Sequence, residues 1–144
     1  MKMAEQINIF LENKPGRLKA VTGILARNGI NVRAVVIQDH ADYGMAKMLV
    51  DDPDKANELL VAEGFACALK KVIAVLVDDK PGGMHQLFSA LDEKGVNILD
   101  SYGFVIESRK VAAICLETDS PKDTAAIVES HGFKTLDAIE IYNL

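Results

Sequence analysis

Two six-residue stretches of this 144-residue chain combine residue types suited to receiving an anion. Asn13-Lys14-Pro15-Gly16-Arg17-Leu18 returns as Asp79-Lys80-Pro81-Gly82-Gly83-Met84, an offset of 66 residues from Pro15 to Pro81. Asn or Asp offers a side-chain oxygen to a free backbone N–H at a helix start. Proline is tolerated in the first turn, where its missing N–H has no partner in any case. Glycine removes the Cβ that would hold a ligand away from the backbone. The remaining N–H groups and the positive end of the helix dipole then face a carboxylate or a phosphate. The same residues also make a plain capped helix start that binds nothing. Finding the stretch twice in one chain favours a site.

The flanking residues supply the elements that must hold these loops. Ile7 to Leu11 and Val72 to Val77 are short apolar runs that read as strands. After the first loop, Leu18, Val21, Ile24 and Leu25 follow helical spacing from Pro15 to Asn28, and Gly29 ends the helix in a left-handed cap. Asn31 to Asp39 is a Val/Ile-rich second strand, His40-Ala41-Asp42 a turn, and Tyr43 to Val50 a third strand. Asp51-Asp52-Pro53-Asp54 opens a second helix that Gly64 closes, and Phe65 to Leu69 is a fourth strand. The order β-α-β-β-α-β in about 65 residues is the split-βαβ, ferredoxin-like arrangement. It then repeats. Met84, Leu87, Phe88 and Leu91 form the next helical stripe, Gly95 caps it, and Asn97 opens the strand that follows. Val111 to Leu116 is the third strand, Ser120-Pro121 opens a helix running to His131, and Gly132-Phe133 mirrors Gly64-Phe65 at an offset of 68. A repeat of this length means tandem domains. The expected class is α+β: two ferredoxin-like βαββαβ domains, residues 1–70 and 71–144, each an antiparallel sheet with helices on one face.

Other reactive side chains do not assemble. His40, His85 and His131 fall in a turn, a first helical turn and a helix end, with no metal-ligand spacing, so solvated or capping roles are expected. Cys67 and Cys115 are single and sit inside apolar runs, as buried small hydrophobes do. Ser101-Tyr102 and Ser108-Arg109 have no candidate base nearby, and neither a GxSxG elbow nor a P-loop is present. No catalytic residue, metal ligand or cofactor is therefore assigned. Hydrophobic content of 49% and a net charge of −5 fit a packed core without the basic patch of a nucleic-acid binder. No apolar run approaches the roughly 20 residues of a membrane helix, and the first residues have no signal-type apolar region. A cytoplasmic location without membrane or nucleic-acid partners is expected.

In both copies the pattern strand–[Asn/Asp]-x-Pro-Gly-x-[Leu/Met]–helix–Gly-[Ile/Val]-Asn-[Val/Ile]–strand resembles the ACT domain, over about Gln6 to Leu144. The resemblance implies a regulatory module that binds an amino acid, typically at an interface between two such domains. Asn13, Gly16 and Leu18 match the ligand loop in the first copy, and Asp79, Gly82 and Met84 match it in the second. Asn31 and Asn97 match the asparagine that reaches a ligand held by the partner domain. The residue chemistry suits a zwitterion: helix-start N–H groups for the carboxylate, and the Asn13 or Asp79 side chain for the ammonium. Asn31 and Asn97 can donate or accept, although Asn is also simply common after a glycine helix cap. The implied function is a free-standing amino-acid sensor acting on a metabolic enzyme or on its own assembly. A structural subunit that binds nothing, or a small enzyme such as an acylphosphatase, are the alternatives; Arg17 offers only a weak phosphate loop, and Gly83 replaces it in the second copy.

The join between the copies constrains assembly. If the two second strands paired edge to edge within one chain, the connection would have to cross about six inter-strand spacings, nearly 30 Å at ~4.8 Å each. Lys70 and Lys71 span about 7 Å at most. Strand exchange within the chain or pairing between chains remains, and the expectation is a homodimer.

Overall fold

The computed structural model describes residues 2–12 and 14–144. It divides into two compact units, Glu5–Lys70 and Lys71–Leu144, the second including residues 2–4. In the first unit, β1 (Ala4–Leu11), α1 (Arg17–Arg27), β2 (Val32–Asp39), β3 (Gly44–Val50), α2 (Pro53–Ala62) and the start of β4 (Ala66–Asp78) follow one another. The strand order is β2-β3-β1-β4, with β3 antiparallel to both of its neighbours. Alternate residues of β1 point one way, so Ile7, Ile9 and Leu11 join Met48 and Val50 of β3 on a single face. Onto that face α1 sets Val21, Ile24 and Leu25, spaced for one helical stripe, and α2 sets Ala56 and Leu60. The Asp52 side chain caps α2 by accepting from the Lys55 N–H, and Pro53 occupies its first turn.

The second unit repeats this with the rest of β4, then α3 (Gly83–Glu93), β5 (Ile98–Glu107), β6 (Val111–Thr118), α4 (Pro121–Ser130), β7 (Thr135–Leu136) and α5 (Ala138–Tyr142). Its order is β7-β4-β6-β5. Ile73, Val75 and Val77 of β4 pack with Ile114 and Leu116 of β6 beneath Leu87 and Leu91 of α3 and Val128 of α4. Both units thus have the antiparallel 4-1-3-2 sheet with helices on one face that the element order implies, and each second strand is an edge of its sheet. Among the described residues, no helix is long and apolar enough to cross a membrane.

Three local expectations are corrected. The strands on either side of Lys70-Lys71 are one strand, β4, because nothing in that dipeptide breaks an extended chain. The helices begin at Arg17 and Gly83, two residues later than the prolines suggest, and their N-caps are Gly16 and Gly82. Both glycines are left-handed (φ 87° and 88°), a conformation that costs any other residue a Cβ clash, and neither helix is capped by a side chain. Helix α5 was not anticipated, although Asp137-Ala-Ile-Glu140 spells its capping box: Asp137 accepts from the Glu140 N–H, and Glu140 accepts from the Asp137 N–H.

Candidate functional site: two glycine-capped loops

Position 13, the first residue of the first loop, lies outside the described residues. Beyond it, Gly16 presents open space where a Cβ would stand. Lys14 pairs with Glu12 at 2.9 Å, and Lys14 first, then Arg17, hold the Glu12 carboxyl below its ordinary range. The Arg17 guanidinium lies over the Phe65 ring, 4.9 Å from its centre, with its Nε buried. Leu18 is half-buried and packs against the core rather than standing free in the loop. Asn31 is exposed at the start of β2. Its backbone is pinned on both sides by Asp51, whose Oδ1 accepts the Asn31 N–H at 3.0 Å and whose N–H donates to the Asn31 carbonyl at 3.1 Å.

The second loop borders a cleft of about 320 Å³, lined by Asp78, Asp79, Lys80 and Met84 on one side and by residues of β5 and β6 on the other. Asp79 does not cap the helix. Its Oδ2 accepts the Arg109 N–H at 2.6 Å, and its own N–H donates to the Lys110 carbonyl at 3.1 Å, so the loop is fastened to the β5–β6 turn. Arg109 is held left-handed there, at φ 62°. The Asp78–Lys80 pair, 3.5 Å apart, repeats Glu12–Lys14. Gly82 again has open space at its missing Cβ, whereas a Cβ on Gly83 would run into the Asp78 carbonyl oxygen. Met84 is 49% exposed and overhangs the cleft. Asn97 is exposed just before β5 and does not line the cleft. Of the candidates in this copy, then, Asp79 and Met84 meet at one cleft and Gly82 adjoins it. The lining residues Gly103, Val105, Ala112 and Ile114 were missed, and an isolated glycine inside a β-branched strand was the available signal.

The remaining reactive groups take structural positions. Nδ1 of His131 meets the Ile127 carbonyl at 2.9 Å at the end of α4, and its Nε2 lies 3.3 Å from Glu93. His85 approaches Ser89 at 3.4 Å, and His40 stacks on Tyr43. Burial pushes the Cys115 thiol up to about 12, against a smaller opposing effect of its hydrogen bond with Tyr102. Burial likewise raises the Tyr102 phenol, with Cys115 adding to the effect. Among the described residues, no group of three His, Cys, Asp or Glu side chains could hold a metal ion.

Two ferredoxin-like units, each with a glycine-capped loop between its first strand and first helix, match one known family over residues 2–143: the ACT domain pair. This chain belongs to that family. The ACT pair is 32% identical to protein BT0572 from Bacteroides thetaiotaomicron, the match covering 99% of this chain and 97% of that one at a TM-score of 0.92. The regulatory subunit of aspartate kinase from Thermus thermophilus, solved in its ligand-free form, shares the fold at 20% identity (89% and 93% coverage, TM-score 0.64). Its counterpart from Thermus flavus does so at 20% identity (90% and 93% coverage, TM-score 0.62). No match was found among curated protein sequences.

Proposed function

We propose that this ACT pair is a non-catalytic regulatory protein that binds an L-amino acid at the loops Asn13–Leu18 and Asp79–Met84, and so modulates a partner enzyme or its own assembly. The observation that carries the reading is the pair of left-handed glycine N-caps, each with empty space where a side chain would project and no side-chain cap on the helix behind it. A carboxylate arriving there meets first-turn N–H groups and the positive end of a helix dipole. In the second loop Gly83 already donates to the Lys80 carbonyl, which leaves the N–H groups of Met84 and His85 for the ligand. The ammonium is received by Asn13 or, in the second loop, by the carboxylate of Asp79, one oxygen of which Arg109 engages. Gly16, Leu18, Gly82 and Met84 shape the approach.

Asn31 and Asn97 complete a site held by another repeat. Each stands exposed at the start of an edge strand, and an edge invites a further strand. Exposed Val35 and Ile37 on β2, and Leu99 and Ile106 on β5, give those edges apolar surface to cover. A homodimer covering them is part of the proposal; light scattering is expected to give twice the 15.6 kDa chain mass, and a monomer at tens of micromolar would refute it. Calorimetry against the twenty amino acids tests the function itself. Saturable binding of at least one is expected, and no binding at millimolar concentration would end the reading.

A further inference from the structure

We infer that the cleft of the second repeat selects an amino acid with an uncharged, aliphatic or thioether side chain; this rests on the amino-acid reading above. The strand register builds the floor. Val77 of β4 stands opposite Ala112 of β6, and Ala112 stands opposite Val105 of β5, making one apolar row across three strands. In the next row on the same face, Ile114 pairs with Gly103, and its Cδ1 lies 2.7 Å from where a Gly103 Cβ would stand, so the glycine lets Ile114 spread across the floor and extend the apolar surface. Met84 covers this surface from the first turn of α3. The charged residues of the cleft, Asp78, Asp79 and Lys80, all belong to the loop end, where the ligand's own charged groups would sit. A ligand whose main chain docks on the loop therefore directs its side chain over the apolar floor. A charged side chain placed there loses water and gains no partner. At about 320 Å³ the cleft is near the lower bound of small-molecule sites, roughly 300–1,000 Å³, which suits one amino acid.

The first repeat provides an internal contrast. By the same register, Leu11 stands opposite Gly44 and Gly44 opposite Asp39, so the position of Val105 is held by an acid, and Ile37, opposite Ala46, takes the place of Gly103. The apolar row is therefore a property of the second repeat alone.

The test is titration calorimetry of the full chain carrying Gly16→Val, so that the first loop does not contribute, with L-leucine, L-isoleucine, L-valine and L-methionine against L-lysine, L-aspartate and L-glutamate, repeated with Val105→Asp added. Val105 is 55% exposed, so the variant is expected to keep its fold, as its unliganded melting curve checks. The expected result is at least tenfold tighter binding of one of the four apolar ligands than of any charged one, with at least a tenfold loss in Val105→Asp. Tighter binding of a charged amino acid, or undiminished affinity in Val105→Asp, overturns the inference while the amino-acid function stands. Failure of all twenty amino acids to bind instead overturns the function itself.

Discussion

Apart from Asn13 in one and Asp79 in the other, the two loops share their residues as far as the glycine cap and part again at the first helical residue. Each has an ion pair two residues apart, a proline, and a left-handed glycine at the helix cap. After the cap, the first repeat places Arg17, whose long side chain folds back over Phe65, and the second places Gly83, tight against the Asp78 carbonyl. The residue following differs too: Leu18 sinks towards the core, whereas Met84 stays half exposed over the cleft. The difference shows how a repeat can keep its left-handed glycine cap while its side-chain contacts diverge. The cap geometry depends on glycine φ, which both copies preserve, and the cleft depends on neighbours that they do not share.

Exchanging the first helical residues is the severest way to break this contrast. Gly83→Arg is expected to destabilise the protein by about 3 kcal/mol in urea unfolding, because its Cβ has no room beside the Asp78 carbonyl. Arg17→Gly is expected to cost about 1 kcal/mol, for one cation–π contact and some backbone entropy. Comparable costs for the two would mean that the loops are packed alike. Substituting the shared feature should act equally on both copies. Gly16→Val and Gly82→Val each force a side chain into left-handed backbone, at about 1–2 kcal/mol. Each should also weaken amino-acid binding at its own loop at least tenfold by calorimetry, and a variant that binds normally would remove that loop from the proposed site.

A smaller effect sharpens the role of the second loop's acid. Asp79→Ala leaves the Arg109 N–H without its acceptor and is expected to cost about 1 kcal/mol. Asp79→Asn keeps an acceptor and should recover most of that in the same urea titration; no difference between them would show that the bond to the turn is immaterial. At neutral pH the smallest effect separates the two cysteines. Cys67, half-buried in the first repeat, is expected to react with a thiol reagent before Cys115, and reversal of that order would contradict their burial. Burial raises the Cys115 thiol from 9.0 to about 12, so above pH 9 the unfolded chain sheds a proton that the native state keeps. Stability is accordingly complete below pH 9 and falls as pH rises towards 12, and the urea midpoint of Cys115→Ala should decline less over that window.

The primary structure by itself determined the doubled pattern, the element order and the core stripes. Each depends on local periodicity: two residues for Ile7, Ile9 and Leu11, and three to four for Val21, Ile24 and Leu25. It also marked Gly16 and Gly82 as the special backbone positions, but assigned the cap to their Asn and Asp neighbours. Only the tertiary structure decided otherwise, because the Asp79 carboxylate finds its donor in Arg109, 30 residues away, at a turn whose position depends on the pairing of β5 with β6. The cleft was hidden for the same reason. Val77, Ala112 and Val105 become one apolar row only when β4 falls into register with the β5–β6 hairpin, which lies beyond α3 in sequence, and no spacing along the chain encodes that register.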